Sequence, residues 1–262
     1  MKSISSRDNA FYKELKLLAS NPQACRKACR TFLDGVHLCE VYIQRVGLPS
    51  LCIVNESSLT HPEIAPIVEK CEAGRTQCVS FPDALYRTLS QVEHGIGLLF
   101  VIDTFQADMP LALTSSAVLL DSLQDPGNLG SILRSAAAAG IQYVFCSNAT
   151  TFTWSPKVLR AGMGAHFSLN IFENVDLLAL MQSAKIPVLA TSSHSRQTLY
   201  EANLRGPVGW LFGHEGRGVA PELFSLATER IAIPHQGSME SLNVAASAAI
   251  CFFEQVRQQR WG

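Results

Sequence analysis

Five apolar runs of strand length in the back half of the chain constrain its fold more than any other feature. They span residues 117–120, 143–146, 188–190, 208–212 and 230–233. Because apolar and polar residues do not alternate within them, the runs predict strands that are buried on both faces. Helical stretches separate the runs, over 128–139, 156–161, 175–184, 220–226 and 241–259. This alternation predicts the α/β class, with a parallel sheet covered by helices on both sides.

A smaller α/β pattern precedes that sheet. Short strand-like runs at 32–33, 51–54, 77–79 and 98–101 alternate with helical stretches and follow two short helical segments. Residues 103–116 lose this periodicity and contain a proline, which is typical of a linker. The sequence therefore predicts a first domain over 1–102, a linker over 103–116 and a second domain over 117–262.

Composition limits the class of protein. Hydrophobic residues make up 47% of the 262 residues and charged residues 16%, which predicts a globular chain with a large core. No run approaches the roughly 20 apolar residues that span a bilayer, and the first residues lack the apolar segment of a signal peptide. We therefore expect a cytoplasmic protein. The eight cysteines and seven histidines lack metal-binding spacings, so we expect reduced thiols and no metal.

The net charge of −1 conceals a basic N-terminal block. Residues 1–33 carry seven basic and two acidic side chains, a net charge of +5 that leaves −6 for the rest. Such a block predicts contact with nucleic-acid phosphates, and a solvated helix face is an equal alternative on charge alone. The candidate RNA-binding residues are Arg7, Lys13, Lys16, Arg26 and Lys27.

Three loops after predicted strands are candidates for the active site, because ligands of open parallel sheets bind beyond the carboxyl ends of the strands. The first runs from Asp125-Pro126-Gly127-Asn128 to Arg134, where Asn128 and Arg134 share a polar helix face. The second is Gly213–Gly218, and the third runs from Pro234 through Ser241 and Asn243. Taken singly, these loops also fit a Pro-Gly turn with an asparagine cap, a tight turn and a capped helix start.

The final predicted helix has two kinds of apolar residue. Its larger residues repeat at helical spacing and predict a packing face, formed by Leu242, Ala246, Ala249, Phe253 and Val256. The small residues over 245–249 predict a close approach to another backbone.

Together the three loops resemble the signature motifs of the SpoU (TrmH-like) RNA 2′-O-ribose methyltransferases of the SPOUT superfamily. The matching strings are Asp-Pro-x-Asn-x-Gly-x-Ile-x-Arg over 125–134, Gly-x-Glu-x-x-Gly over 213–218 and Ile-Pro-x-x-Gly-x-x-x-Ser-Leu-Asn-Val over 233–244. The N-terminal part is similar, more loosely, to the extension of the ribosomal-RNA branch. Asp34 stands there where glutamate is more usual.

The resemblance implies a fold and a cofactor. It implies a second domain with a deep trefoil knot, preceded by a smaller α/β RNA-binding domain like ribosomal protein L30e. The cofactor is S-adenosylmethionine, held by residues matching Gly213, Ile233 and Leu242, with Thr191 as a weaker candidate.

The resemblance also implies the reaction, in which a ribose 2′-hydroxyl accepts a methyl group. Arg134 is the implied catalytic arginine, either as the proton acceptor or as a clamp on a substrate phosphate, because a guanidinium is a poor base. Asn128 is implied to orient the ribose or Arg134 through its amide, and Glu215, Ser241 and Asn243 complete the polar wall. A homodimer shares each site, with the arginine from one subunit and the cofactor from the other.

Ribosomal RNA is the expected substrate, because the module of about 100 residues before the linker resembles the RNA-binding domain of the family's ribosomal-RNA members. The alternatives are a transfer-RNA ribose methyltransferase and a catalytically silent RNA-binding relative. A nicotinamide-dependent enzyme ranks last, because no Gly-x-Gly-x-x-Gly turn follows the first strand of the second domain.

Overall fold

The computed structural model describes residues 1–92, 95–105, 107–193 and 195–261. The chain forms two compact units, Met1–Phe105 with Trp154–Phe167, and Gln106–Thr153 with Ser168–Gly262. Within the predicted linker, Gln106 lies outside the described residues. No helix in the described ranges is long and apolar enough to cross a membrane.

The first unit is built on a mixed sheet. Its strands are β1 (Lys2–Ser3), β2 (Arg30–Asp34), β3 (Leu51–Asn55), β4 (Gln77–Phe81) and β5 (Leu98–Asp103). They lie in the order β1-β4-β3-β5-β2, with β5 antiparallel to both of its neighbours. Its helices are α1 (Ala10–Ser20), α2 (Pro22–Ala28), α3 (Val36–Arg45), α4 (Ala65–Ala73), α5 (Asp83–Tyr86) and α7 (Pro156–Gly162).

Residues 154–167 belong to the first unit, which differs from the single continuous second domain that the sequence pattern predicts. Buried contacts explain the grouping. Thr31 Oγ1 donates a hydrogen bond of 2.7 Å to the carbonyl oxygen of Trp154, and the ring of Phe167 lies edge-on to Tyr42 at 5.2 Å. A contiguous apolar pattern cannot reveal such contacts between distant segments.

The second unit is built on a parallel sheet. Its strands are β6 (Ala117–Leu120), β7 (Tyr143–Cys146), β8 (Asn170–Phe172), β9 (Val188–Thr191), β10 (Gly209–Phe212) and β11 (Glu229–Ile231). They lie in the order β11-β9-β10-β6-β7-β8, and every pair is parallel. Its helices are α6 (Pro126–Ala138), α8 (Leu177–Gln182), α9 (Pro221–Leu226) and α10 (Val244–Trp261).

Helices cover both faces of this sheet, as alternate side chains of β10 show. Trp210 and Phe212 contact Phe252 of α10, and α10 also packs on α6. Leu211 points the other way, into a core cluster shared with Leu177 of α8 and with α9. The predicted parallel α/β sheet with both faces covered is confirmed.

Within the single chain, the buried face of the last helix is not the packing face that the sequence predicts. In α10 the buried residues include Ala248, Cys251 and Phe252, whereas Phe253 is 49% exposed. Leu242 lies before the helix and is exposed, and Ala246 within the helix is also exposed. Two polar residues, Glu254 and Gln255, are buried instead, because hydrogen bonds satisfy them: Trp210 Nε1 donates to Gln255 Oε1 at 2.8 Å, and Arg257 donates to Glu254.

Candidate active site

The loops after β6 and β10 meet where the strand order of the second unit reverses. From β6 the chain continues to β7 and β8 on one side, and it then returns to form β9, β10 and β11 on the other. Such a reversal leaves a crevice at the carboxyl ends of the strands. The buried Asp121, directly after β6, joins the loops: its Oδ2 accepts a hydrogen bond of 2.9 Å from the amide of Ala220. Our sequence reasoning missed Asp121, although an acidic residue directly after a strand was a usable signal.

Helix α6 begins at this crevice with an aspartate cap. Asp125 Oδ1 accepts a hydrogen bond of 2.7 Å from the amide of Asn128, and Pro126 occupies the first helical position. The alternative that made Asn128 the cap is therefore wrong. Since Asp125 caps the helix, the amide side chain of Asn128 is available for other contacts.

The carboxylate of Glu215 binds the start of α6 from the loop after β10. Its oxygens accept hydrogen bonds from the amides of Gln124 at 3.2 Å and Asp125 at 3.0 Å, and from Asn128 Nδ2 at 3.2 Å. Burial alone raises the pKa of Glu215, but the hydrogen bonds from these amides and from Asn128 outweigh it, so the pKa lies below its ordinary value. Glu215 is therefore a hydrogen-bond acceptor in its ionised form.

Asn243 extends this network into the third loop. Its Nδ2 donates a hydrogen bond of 2.8 Å to Asn128 Oδ1, and its Oδ1 accepts from the amides of Ala245 at 2.9 Å and Ala246 at 3.3 Å. The carboxylate of Glu215, which only accepts hydrogen bonds, lies at one end of this network. The backbone amides of Ala245 and Ala246, which only donate, lie at the other end. Both asparagine amides therefore have a defined orientation.

A cavity of about 780 Å³ opens beside this network. Eight of the nine catalytic and cofactor-binding candidates line it: Asn128, Thr191, Gly213, Glu215, Ile233, Ser241, Leu242 and Asn243. The cavity falls within the size range of small-molecule sites, and its walls combine apolar side chains with hydroxyl groups. The structure thus brings residues from four loops to one site. No group of three potential metal ligands occurs among the residues described.

Gly213 has a steric role at this site. A Cβ atom at residue 213 would lie 2.2 Å from the backbone of Gly218 and Val219. The loop after β10 therefore folds back on itself only because position 213 has no side chain. This close approach shapes the cavity wall that the sequence assigned to cofactor binding.

Arg134 is the candidate that the structure does not bring to the cavity. It lies on the exposed side of α6, six residues beyond Asn128, which corresponds to about 9 Å along a helix axis. Among the residues described, it is not part of the cavity wall and has no hydrogen-bond or ion-pair partner. A substrate or a second subunit can therefore reach its guanidinium.

Three further ionisable side chains line the cavity, and our sequence reasoning did not select them. They are His214, Arg217 and His235. Both histidines hydrogen-bond to the backbone through Nδ1: His214 accepts from the amide of Gly216 at 2.9 Å, and His235 lies 2.5 Å from the carbonyl oxygen of Ile233. Their positions inside the second and third motif loops were the available signal.

The candidate RNA-binding residues lie in the first unit, on or near its first two helices. Arg7, Lys13, Lys16, Arg26 and Lys27 are all exposed. Lys13 forms an ion pair of 3.0 Å with Asp8, which reduces its availability to a phosphate. Lys16 and Lys27 have no ion-pair partner among the described residues.

The fold and the site define a class, an α/β enzyme that binds a small molecule at the carboxyl edge of a parallel sheet. A family model described as the SpoU rRNA Methylase family matches residues 115–253. This chain belongs to that family.

Relatives match almost the whole chain. It is 30% identical over 98% of its length to a tRNA/rRNA methyltransferase of Synechocystis, 94% of which is covered. It is 28% identical over 97% of its length to the 23S rRNA (guanosine(2553)-2′-O)-methyltransferase RlmP of Bacillus subtilis, 98% of which is covered. The crystal structure of an RNA 2′-O ribose methyltransferase superposes with a TM-score of 0.81 at 28% identity, covering 98% of this chain and 99% of that one.

These matches confirm the predicted family and, at the level of the family, RNA 2′-O-methyl transfer from S-adenosylmethionine. The trefoil knot, the likeness of the first unit to ribosomal protein L30e and the homodimer stay predictions.

Proposed function

We propose that this protein transfers a methyl group from S-adenosylmethionine to a ribose 2′-hydroxyl of ribosomal RNA. The observation that carries the proposal is the hydrogen-bonded chain from Glu215 through Asn128 to Asn243. This chain joins one residue from each of the three family motifs at the wall of one cavity. It gives each motif residue a physical task, which a chance match of short strings would not do.

The cavity residues fit the cofactor. Ile233 and Leu242 offer apolar surface to a purine ring, and Thr191 and its neighbours offer hydroxyl groups to polar atoms. Gly213 keeps the wall close to the backbone of Gly218. When bound, the cofactor supplies an electrophilic methyl group on a sulfonium. The task of the protein residues is then to orient the ribose, exclude water and remove the hydroxyl proton.

Arg134 and the polar residues of the cavity wall have different tasks in binding the RNA. The exposed guanidinium of Arg134 contacts the substrate, and Ser241 and Asn128 face the cavity where the ribose binds. A guanidinium matches the geometry of a phosphate, with which it can form two parallel hydrogen bonds. In this assignment Arg134 holds the RNA backbone next to the reacting hydroxyl.

Ribosomal RNA is the proposed substrate class because the match to a ribosomal-RNA enzyme extends over both units. The RlmP alignment covers 97% of this chain, so it includes the unit that carries Lys16 and Lys27. These exposed lysines provide a phosphate-binding surface. A cytoplasmic location fits such a substrate.

The proposal includes a homodimer that shares each active site. In the single chain Arg134 lies outside the cavity, while Phe253 on α10 is 49% exposed and Leu242 is 40% exposed. A second subunit packed on this surface would cover both apolar side chains and bring an arginine to the partner's cavity.

The test is methyl transfer to RNA from cells that lack the protein, with tritiated cofactor and mapping of the labelled ribose. We expect label at a 2′-oxygen of ribosomal RNA with the wild-type protein, and almost none with Asn128→Asp. Asn203→Asp is the matched control, because Asn203 is exposed in the same unit and accepts only a local backbone bond. Label in transfer RNA with unlabelled ribosomal RNA would overturn the substrate assignment.

A further inference from the structure

The reaction needs a group that removes the proton of the 2′-hydroxyl, and the cavity contains few candidates. Four ionisable side chains line its described wall: His214, Glu215, Arg217 and His235. The identity of this proton acceptor rests on the proposed methyl transfer.

Two of the four side chains are poor acceptors. Glu215 already accepts hydrogen bonds from two backbone amides and from Asn128, and these bonds hold its pKa below the ordinary value, which makes its carboxylate a weaker base. Arg217 carries a guanidinium, which stays protonated in ordinary surroundings.

His214 can act only as a hydrogen-bond donor toward the cavity, because its Nδ1 already accepts a backbone hydrogen bond. Its Nδ1 accepts from the amide of Gly216 at 2.9 Å, so Nδ1 has no proton in the neutral ring. A neutral imidazole has one protonated nitrogen, which in His214 must be Nε2. His214 can therefore donate a hydrogen bond to a ligand in the cavity, but its neutral form offers no free lone pair.

His235 has the opposite arrangement. Its Nδ1 lies 2.5 Å from the carbonyl oxygen of Ile233, and because a carbonyl oxygen only accepts, Nδ1 carries the proton. Nε2 of the neutral ring then has a free lone pair, and the side chain is exposed. A backbone carbonyl that fixes the tautomer in this way prepares an imidazole for general base catalysis.

We propose that Nε2 of His235 accepts the proton of the ribose 2′-hydroxyl. The O2′–H bond breaks and an Nε2–H bond forms. The electron pair left on O2′ forms the bond to the methyl group, while the methyl–sulfur bond of the sulfonium would break with its electron pair staying on sulfur. The resulting imidazolium keeps its Nδ1–H bond to Ile233 and later returns the extra proton to water. Arg134 then acts only as the phosphate clamp, which a permanently protonated guanidinium can do without losing a proton.

The first experiment compares wild-type protein, His235→Gln and the control His61→Gln, which changes a histidine of the first unit. We expect His235→Gln to lower kcat about 10²- to 10⁴-fold, the usual contribution of a general base. The Kd for S-adenosylmethionine, measured by calorimetry without RNA, should stay within about twofold, because only a proton acceptor has been removed. The rate of His61→Gln should equal that of wild type.

The pH profile separates a base from a structural residue. Wild-type kcat should fall on acidification, because a protonated imidazole cannot accept a second proton, and the residual kcat of His235→Gln should lack this fall. The other ionisable groups of the cavity, His214, Glu215 and Arg217, are intact in both proteins, so the difference reports on His235.

A measurement without turnover tests the geometry. In the wild-type protein, ¹⁵N chemical shifts of the neutral His235 ring should show a protonated Nδ1 and an unprotonated Nε2, with the reverse pattern for the neutral His214 ring. A protonated Nε2 on neutral His235 would overturn the proposal, as would full activity of His235→Gln. If wild type methylates no RNA, the proposed function fails as well, whereas an active wild type with an active His235→Gln overturns only the base assignment.

Discussion

Asn243 Nδ2 donates a hydrogen bond of 2.8 Å to Asn128 Oδ1, across 115 residues of sequence. Asn243 also accepts from the amide of Ala245 in the first turn of α10, and Asn128 lies in the first turn of α6. This single contact therefore holds the starts of two packed helices together. Because Asn128 also donates to Glu215, a change at either asparagine affects all three motif loops.

Asn128→Asp should disrupt the network at one defined point. The new carboxylate can still accept from Asn243, but it faces the carboxylate of Glu215 and has no proton to donate. An unmet polar group costs about 1–3 kcal/mol, more than the 0.3–1 kcal/mol that a negative charge gains at a helix start. We expect a lower free energy of unfolding in urea and at least a tenfold loss of kcat. An unchanged urea midpoint would contradict the role assigned to this contact.

Glu215→Gln should remove a part of the free energy of unfolding that depends on pH. The pKa of Glu215 is lowered in the folded protein from its ordinary value of 4.5, so the stabilisation is present above that value and is lost as pH falls through the folded pKa. At pH 7 the variant should lose on the order of 1 kcal/mol, since the side chain is exposed to solvent. Urea titrations from pH 7 to pH 3 should show that the difference in free energy of unfolding between wild type and Glu215→Gln becomes smaller. A constant difference would show that ionisation of Glu215 does not matter.

Gly213→Ala should weaken cofactor binding through packing alone. The added Cβ would lie 2.2 Å from the backbone of Gly218 and Val219, so the loop must move. Overpacking of this kind costs about 1–3 kcal/mol, and we expect at least a tenfold rise in the Kd for S-adenosylmethionine by calorimetry. The control is Gly206→Ala, where nothing lies within 4 Å of the added carbon. Equal affinities of the two variants would contradict the packing argument.

Sequence pattern predicted the strands that lie in apolar runs of their own, including the three-residue edge strand β11. It missed β1 and β8, which have two and three residues and lie at the edges of their sheets. Such short edge strands depend on pairing with a neighbour, β4 for the first and β7 for the second, and not on a pattern of their own. The buried face of α10 was mispredicted because hydrogen bonds bury Gln255 in a way that hydrophobicity cannot show.

The site was predictable in its residue types and not in its contacts. Motif spacing selected Asn128, Glu215 and Asn243, and the structure places them in one chain of hydrogen bonds. The role of Asp125 as the helix cap and the tautomer of His235 depend on distances to backbone atoms. Periodicity contains no such distances, so these details come only from the folded chain.

Two lysines of the first unit should contribute to RNA affinity through charge. Lys16 and Lys27 are exposed and have no ion-pair partner among the described residues, unlike Lys13. Replacing both by glutamine should reduce the slope of log affinity against log salt by about 1.4–1.8, since each phosphate contact contributes about 0.7–0.9. The matched control replaces the exposed Lys70 and Lys185 by glutamine. Equal slopes in the two double variants would move the RNA surface elsewhere.

Arg134→Ala should abolish methyl transfer while leaving both stability and cofactor affinity unchanged, because Arg134 is exposed and lies outside the cavity wall. If each site takes its arginine from one subunit and its cofactor from the other, a mixed dimer of Arg134→Ala and Gly213→Ala contains one intact site. Coexpression of the two variants with different tags would form such dimers for purification.

The mixed dimer should recover about half of the wild-type activity per dimer, since a symmetric dimer has two equivalent sites and one of them is restored. Arg134→Ala alone should be inactive, and Gly213→Ala alone should be inactive at cofactor concentrations below its raised Kd. Mixed dimers without activity would show that arginine and cofactor belong to the same subunit. Phe253→Glu should prevent the dimer, because Phe253 is 49% exposed in the single chain and a charge there would oppose its burial in a contact between subunits. Sedimentation would show the loss of the dimer, and the activity should fall with it.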